Sequence, residues 1–206
     1  MTPWFVAVGA SGGEGLDDLM TLLHELPPNF GAVVLIVLHR PVDCLSELHA
    51  VLGRASRLPV AIALQGERFE PGTVYIGEPD DHLTLTERTF GKLIDDPTGR
   101  YRNRTVDLLF HSVAAHGGKR IIGVILSGAL DDGARGLSAI HRAGGITMVL
   151  TPSVLPWRGM PENAIAFDGP VDLTGTPGEI ARAIVAAVAR GPGEPAAQLG
   201  DGLRAP

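Results

Sequence analysis

Four nearly continuous apolar runs punctuate the chain, at residues 4–8, 32–38, 121–126 and 146–150. Each has the length and composition of a strand covered on both faces. Between them the period changes. Apolar residues at 16, 19, 20, 22, 23 and 26 follow helical spacing, as do those at 106, 108, 109, 110, 113 and 114. Residues 43–52 read as a further helix, Leu137, Ile140 and His141 mark another beyond Gly133, and a last helix is predicted over 177–190. Shorter strands are expected at 59–64 and 73–76. Residues 82–86 alternate as a half-exposed strand would, and the polar stretch 87–104 reads as a surface loop flanked by a hairpin. The Gly-, Pro- and Ala-rich segment 191–206 is expected to be a flexible tail, leaving residues 1–190 as one domain. No internal repeat is visible.

Strands alternating with helices predict an α/β fold: a doubly wound, mostly parallel sheet with helices on both faces and a small antiparallel hairpin. In such sheets ligands bind beyond the carboxyl ends of the strands. Three polar residues stand at three such ends: Ser11, His39 and Asp132.

The first of these ends, Gly9-Ala10-Ser11-Gly12-Gly13, has the literal Gly-x-Ser-x-Gly form of a nucleophile elbow. Small neighbours there expose the serine and admit a substrate oxygen to backbone N–H groups. A Gly-rich turn equally cradles a phosphate, although no P-loop lysine follows, and a lone serine equally caps a helix. Serine, histidine and aspartate together are the parts of a nucleophile–base–orienter triad, which geometry defines rather than chain order. Read so, Ser11 attacks a carbonyl, His39 takes its proton and Asp132 holds the imidazole. Asp131 competes with Asp132 on composition alone. Either acid, standing before Gly133 and a helix, also suits an N-cap, and His39 also suits a structural hydrogen bond.

Composition excludes several other classes. The 206 residues are 45% hydrophobic, enough for one large core, and the net charge of −6 argues against a nucleic-acid surface. No apolar run approaches the roughly 18 residues that span a membrane, and no export signal is visible, so a cytoplasmic protein is expected. Cys44 is the only cysteine, which rules out an internal disulfide and a thiolate metal site; it reads as a small helix hydrophobe. No pair of histidines at helical spacing faces an acidic ligand, so no metal is expected. His111 is assigned to packing on the apolar side of its helix. The arginines within 100–104 read as a solvated loop, or functionally as a dock for an acidic helix.

Six stretches carry a more specific signal: VAVGASGG at 6–13, VVLIVLH at 33–39, GTVYIGEPDDHLTL at 72–85, TVDLLFHSVAAHGG at 105–118, GVILSGALDDGARG at 123–136 and GMPENAI at 159–165. In these the chain resembles the catalytic domain of the chemotaxis receptor methylesterases, the CheB family of protein-glutamate methylesterases. The resemblance implies Ser11 as nucleophile, His39 as base and Asp132, immediately before Gly133-Ala134-Arg135-Gly136, as orienter, which settles Asp132 over Asp131. It implies hydrolysis of glutamate methyl esters on chemoreceptor helices to glutamate and methanol, deamidation of glutamine besides, and no metal or organic cofactor. A methylated chemoreceptor or related signalling protein is the implied partner, with a methyltransferase or a separate receiver protein as further candidates. Because the motifs begin at residue 6, a stand-alone domain without a preceding receiver domain is expected.

The departures from the family pattern gather in the same motifs. Gly12 stands where the family usually has Thr or Ala, and Glu14 reads as an insertion between Gly13 and Gly15. Gly128-Ala129-Leu130 replaces Gly-Met-Gly, whose methionine helps line the oxyanion site. The resemblance thus puts Gly12, Ala129 and Met160 at that site or in its lining. Leu150-Thr151-Pro152 replaces Gln-Asp-Pro, and Trp157 occupies a nearby loop. These changes predict altered substrate preference or weakened turnover. The alternative function is a regulatory or binding module of the same fold, engaging receptor helices or a signalling partner.

Overall fold

A computed structural model describes residues 2–39, 47–77, 81–96, 104–152, 159–167, 169 and 171–190. In chain order its elements are β1 (Trp4–Ser11), α1 (Gly12–Glu25), β2 (Ala32–His39), α2 (Leu48–Ala55), β3 (Val60–Ile62), β4 (Val74–Ile76), β5 (Asp81–Leu85), β6 (Gly91–Asp95), α3 (Thr105–His116), β7 (Ile121–Ile125), α4 (Ala134–Arg142), β8 (Ile146–Leu150), α5 (Met160–Ala166), β9 (Leu173–Gly175) and α6 (Pro177–Arg190). Seven strands form one sheet in the order β3-β4-β2-β1-β7-β8-β9, parallel throughout, and β5 pairs antiparallel with β6 in a separate hairpin.

The period of two along a strand decides which layer each side chain joins. In β1, Trp4, Val6, Val8 and Ala10 enter a core shared with α1, α2 and α6, whereas Phe5 and Ala7 enter a second core shared with α3, α4 and α5. In β2 the split is the same: Val34 and Ile36 face the first core, Val33 and Leu35 the second. Extending the alternation puts Ser11 of β1 and His39 of β2 on the α3 side. Those two residues are also register partners at the ends of neighbouring strands. The chain passes from β1 to β2 on one side and reaches β7 on the other, so the crevice at the end of β1 is the switch point of the sheet.

Several boundaries differ from expectation for physical reasons. The strand predicted at 4–8 continues to Ser11. Gly9 does not break it, since a Cβ there would collide with Val106 Cγ1; the glycine lets α3 lie directly on β1. The turn comes instead at Gly12, where φ is +71°, and the helix starts there rather than at Leu16. The strand expected to be half-exposed at 82–86 is buried, because α3 and Phe69 cover the hairpin. Residues 91–95 of the predicted loop 87–104 are strand β6, whose polar outer positions concealed it. Helix α5 and strand β9 were not expected; both are short, at 7 and 3 residues. His111 is exposed and not packed, a correction to its assignment. Cys44, the arginines at 100 and 102, Trp157, the start of the helix predicted at 43–52 and the segment 191–206 lie outside the described residues.

Candidate active site

Ser11 closes β1 with extended backbone, φ −147° and ψ 141°, and its hydroxyl does not cap α1. That disposes of the helix-cap reading. Its main chain is fixed on the β7 side, where its N–H donates to the Ser127 carbonyl at 2.9 Å. Gly15 is required beside it, since a Cβ at that position would lie 2.8 Å from the same carbonyl oxygen. Around Gly12 and Gly13, by contrast, a Cβ would meet none of the described residues within 4 Å. The first turn of α1 therefore opens onto free space next to the serine. A helix start of this kind offers unpaired N–H groups and the positive end of the macrodipole. Glu14 is exposed in that turn.

His39 ends β2 and binds Asp132: Nε2 lies 2.5 Å from Oδ2. Thr105 Oγ1 also lies 3.0 Å from Nε2. With a carboxylate as partner, Nε2 carries the proton, shared between Asp132 and the threonine oxygen. In the neutral form of this imidazole Nδ1 is then the nitrogen with the lone pair. Among the described residues Ser11 Oγ makes no hydrogen bond to the imidazole. Their strands set the Cα atoms of this register pair one interstrand spacing apart, about 4.8 Å, with both side chains on one face.

Asp132 is 3% exposed and lies in a cross-capped pair of helix starts. Its Oδ2 accepts the Val106 N–H at 2.9 Å and its Oδ1 the Asp107 N–H at 2.8 Å, so it satisfies two orphan donors of α3. Asp107 returns the arrangement: its Oδ1 accepts the N–H of Gly133 at 3.1 Å and of Gly136 at 2.8 Å, at the start of α4. The two carboxylates thereby hold each other's loops. Burial pushes the Asp132 carboxyl upward, but the His39 hydrogen bond, the Asp107 and Val106 N–H groups and the imidazole charge outweigh it and hold it below the usual range. Asp107 goes the other way. Burial raises it, the Gly136 N–H opposes, and the neighbouring Asp132 charge raises it further, beyond what His111 and Arg135 offset. Among the described residues its buried Oδ2 makes no hydrogen bond, with Arg135 Nη1 at 3.7 Å and Arg104 Nη1 at 4.0 Å. Asp131 is 61% exposed and pairs with Arg135, so Asp132 is the acid that reaches His39.

Of the proposed oxyanion and lining residues, Gly12 borders the open space, Ala129 is exposed, and Met160 is buried. A Cβ at Gly128 would lie 2.7 Å from Ser11 Cβ and collide with Met160 Sδ, so Met160 backs the segment that touches the serine. Sequence reasoning missed Thr105 and Asp107. The signal for Asp107 was present: one acid embedded among apolar residues 106 and 108–110, in the first turn of a helix. Thr105 carried no such mark. Among the described residues no group of three or more His, Cys, Asp or Glu is arranged to hold a metal, and no helix is long and apolar enough to cross a membrane.

The fold and the site together define a parallel α/β protein that brings a serine and a carboxylate-bound imidazole to adjacent strand ends. Comparison with known proteins narrows the class to a family: residues 6–184 match the family model described as CheB methylesterase, and the chain belongs to that family. It is 36% identical over 171 residues to the protein-glutamate methylesterase/protein-glutamine glutaminase of Yersinia pestis bv. Antiqua (strain Antiqua), covering 82% of this chain and 48% of that protein. The protein of the same name from Salmonella typhimurium (strain LT2) is 35% identical over 167 residues, covering 80% and 47%. The chain thus spans about half the length of the curated relatives it matches. The crystal structure of the Thermotoga maritima CheB methylesterase catalytic domain superposes with a TM-score of 0.79 at 27% identity, covering 90% of this chain and 99% of that one.

Proposed function

We propose that the chain is a serine esterase that hydrolyses glutamate methyl esters on chemoreceptor-like signalling proteins to glutamate and methanol. The observation that carries this reading is the His39–Asp132 pair, one strand away from Ser11 at a shared register position. The relatives' names support the substrate class, and their second half supports glutamine deamidation by the same route.

In this reading Ser11 Oγ attacks the ester carbonyl while its proton passes to His39 Nδ1, and Asp132 stabilises the resulting imidazolium. The oxyanion of the tetrahedral intermediate faces the opening turn of α1, at Gly12 and Gly13, where N–H groups and dipole favour negative charge. Collapse breaks the bond to the methoxy oxygen, which takes the proton from His39 and leaves as methanol. Water, deprotonated by His39, then cleaves the acyl-serine; the glutamate carboxylate leaves and Ser11 regains its proton. With a glutamine substrate the leaving group is ammonia. Residues 1–190 carry the catalytic unit, acting in the cytoplasm. A methyltransferase that makes the ester and a receiver protein that restrains the domain are the expected partners.

The test is release of labelled methanol from a methyl-labelled receptor fragment. The wild-type protein is expected to release it and Ser11→Ala to release none. If fragments bind without losing methanol or ammonia, the chain is a binding module and the esterase reading falls.

A further inference from the structure

The segment from Ser127 to Asp132 spans the site. At one end the Ser127 carbonyl accepts the Ser11 N–H, and Gly128 lies against Ser11; at the other Asp132 binds His39. Ala129, Leu130 and Asp131 form the outward arc between them, and all three are exposed. Leu130 is anomalous twice over. Its φ is +70°, a left-handed conformation that a bulky L-residue rarely adopts, and its side chain stands 60% exposed.

Neither feature is relaxed by its surroundings. Helix α5 pins the arc: the Met160 N–H donates to the Gly128 carbonyl at 2.8 Å, and Asn163 Nδ2 donates to the Leu130 carbonyl at 2.7 Å. The backbone is thus held where glycine would be favoured, yet a leucine occupies it and points into water. Strain held at a site without a packing return indicates a use for the side chain. Two peptide units extended span at most about 7 Å, so Leu130 Cα lies within that distance of both Gly128, beside the nucleophile, and Asp132.

We infer that Leu130 is a specificity-determining residue, a raised apolar rim that covers an apolar side chain of the substrate next to the scissile ester. This rests on the esterase reading for the identity of the ester, but not for the contact itself. An exposed leucine gains by burial against an apolar surface and loses against a polar one, so it discriminates between flanking residues without touching the reacting atoms.

The experiment uses two synthetic peptides carrying one glutamate methyl ester, flanked by leucines in one and by serines in the other, with a small acetate ester as control. Wild type is expected to favour the leucine-flanked peptide about 10-fold in kcat/KM, the scale of one partly buried leucine. Leu130→Gly and Leu130→Asn should both abolish that preference while changing the small ester less than about twofold. Leu130→Gly should also raise Tm by about 2–4 °C as strain is relieved. Affinity is measured in parallel on Ser11→Ala with and without Leu130→Gly, and the leucine-flanked peptide should bind about 10-fold more weakly to the double variant. Absence of turnover with every ester would defeat the esterase reading and leave the affinity difference to decide this one. A preference or an affinity that survives loss of the leucine overturns the inference.

Discussion

The two crossings that meet at the end of β1 are built in opposite ways. At the β1–α1 crossing the serine has ordinary extended backbone, its side chain caps nothing, and free space adjoins the first helical turn. At the β7–α4 crossing almost every polar group is committed. Asp132 accepts from two backbone N–H groups and the imidazole, Asp107 secures two N–H groups in return, and Gly133 turns at φ +94°. One crossing is open and the other is locked. The contrast suits acyl transfer, in which the nucleophile and the oxyanion site must receive a substrate while base and acid keep one geometry.

The contrast breaks most visibly when each side is truncated. Ser11→Ala is expected to cost at least about 10³-fold in kcat and less than about 0.5 kcal/mol of stability, because the hydroxyl makes no hydrogen bond among the described residues. Asp132→Ala should cost comparable activity and, in addition, roughly 1–3 kcal/mol, since it strands the Val106 and Asp107 N–H groups in a buried place. Kinetics combined with denaturant unfolding separate the two. Equal stability losses would mean that the open crossing is not open.

Asp107 sharpens the same point without touching substrate. Asp107→Ala should lose roughly 1–3 kcal/mol and lower kcat about 10-fold as the Asp132 loop slackens, whereas Asp107→Asn keeps an acceptor for Gly133 and Gly136 and should lose much less. Indistinguishable alanine and asparagine variants would remove the cross-cap from the account.

The locked crossing also has a pH signature. The Asp132 carboxyl is held below its ordinary 3.8, so its stabilising contribution is present above that pH and disappears as pH falls through the lowered value. The stability gap between wild type and Asp132→Asn should therefore be constant near neutrality and close in acid. A gap that widens in acid would reverse the sign.

The smallest expected effect lies on the open side. Glu14 is exposed, and water screens its charge, so Glu14→Gln should raise kcat no more than about fivefold. Ala129→Met should act in the same direction. A larger gain would show that the Glu14 carboxylate reaches the oxyanion.

How legible all this was in the sequence follows the same division. Continuous apolar runs announced the parallel sheet, because strands covered on both faces leave no room for polar residues. Ser11 and His39 stood out because they end neighbouring strands at the ligand-binding edge of such a sheet, whereas Asp132, buried beyond the end of β7, stood out by the Gly133-Ala134-Arg135-Gly136 motif that follows it. The short elements α5 and β9, of 7 and 3 residues, left too short a period to read. Gly9 misled for a different reason. In the sequence it resembled a turn signal, but its purpose is the close approach of α3, which no local pattern encodes. Asp107 and Thr105 escaped notice because their partners lie on other elements: 25 positions separate Asp107 from Asp132, and 66 separate Thr105 from His39.

The central claim is that Ser11 carries the acyl group, activated by a histidine that Asp132 holds. It is tested most directly by acid-quenching a reaction with a short glutamate-methyl-ester peptide within the first turnovers and mapping the protein by mass spectrometry. The account predicts a peptide mass, less methanol, attached to Ser11 in the wild type, formed far more slowly in His39→Ala and Asp132→Ala. An adduct on another residue, or methanol release that persists undiminished in Ser11→Ala, would contradict it.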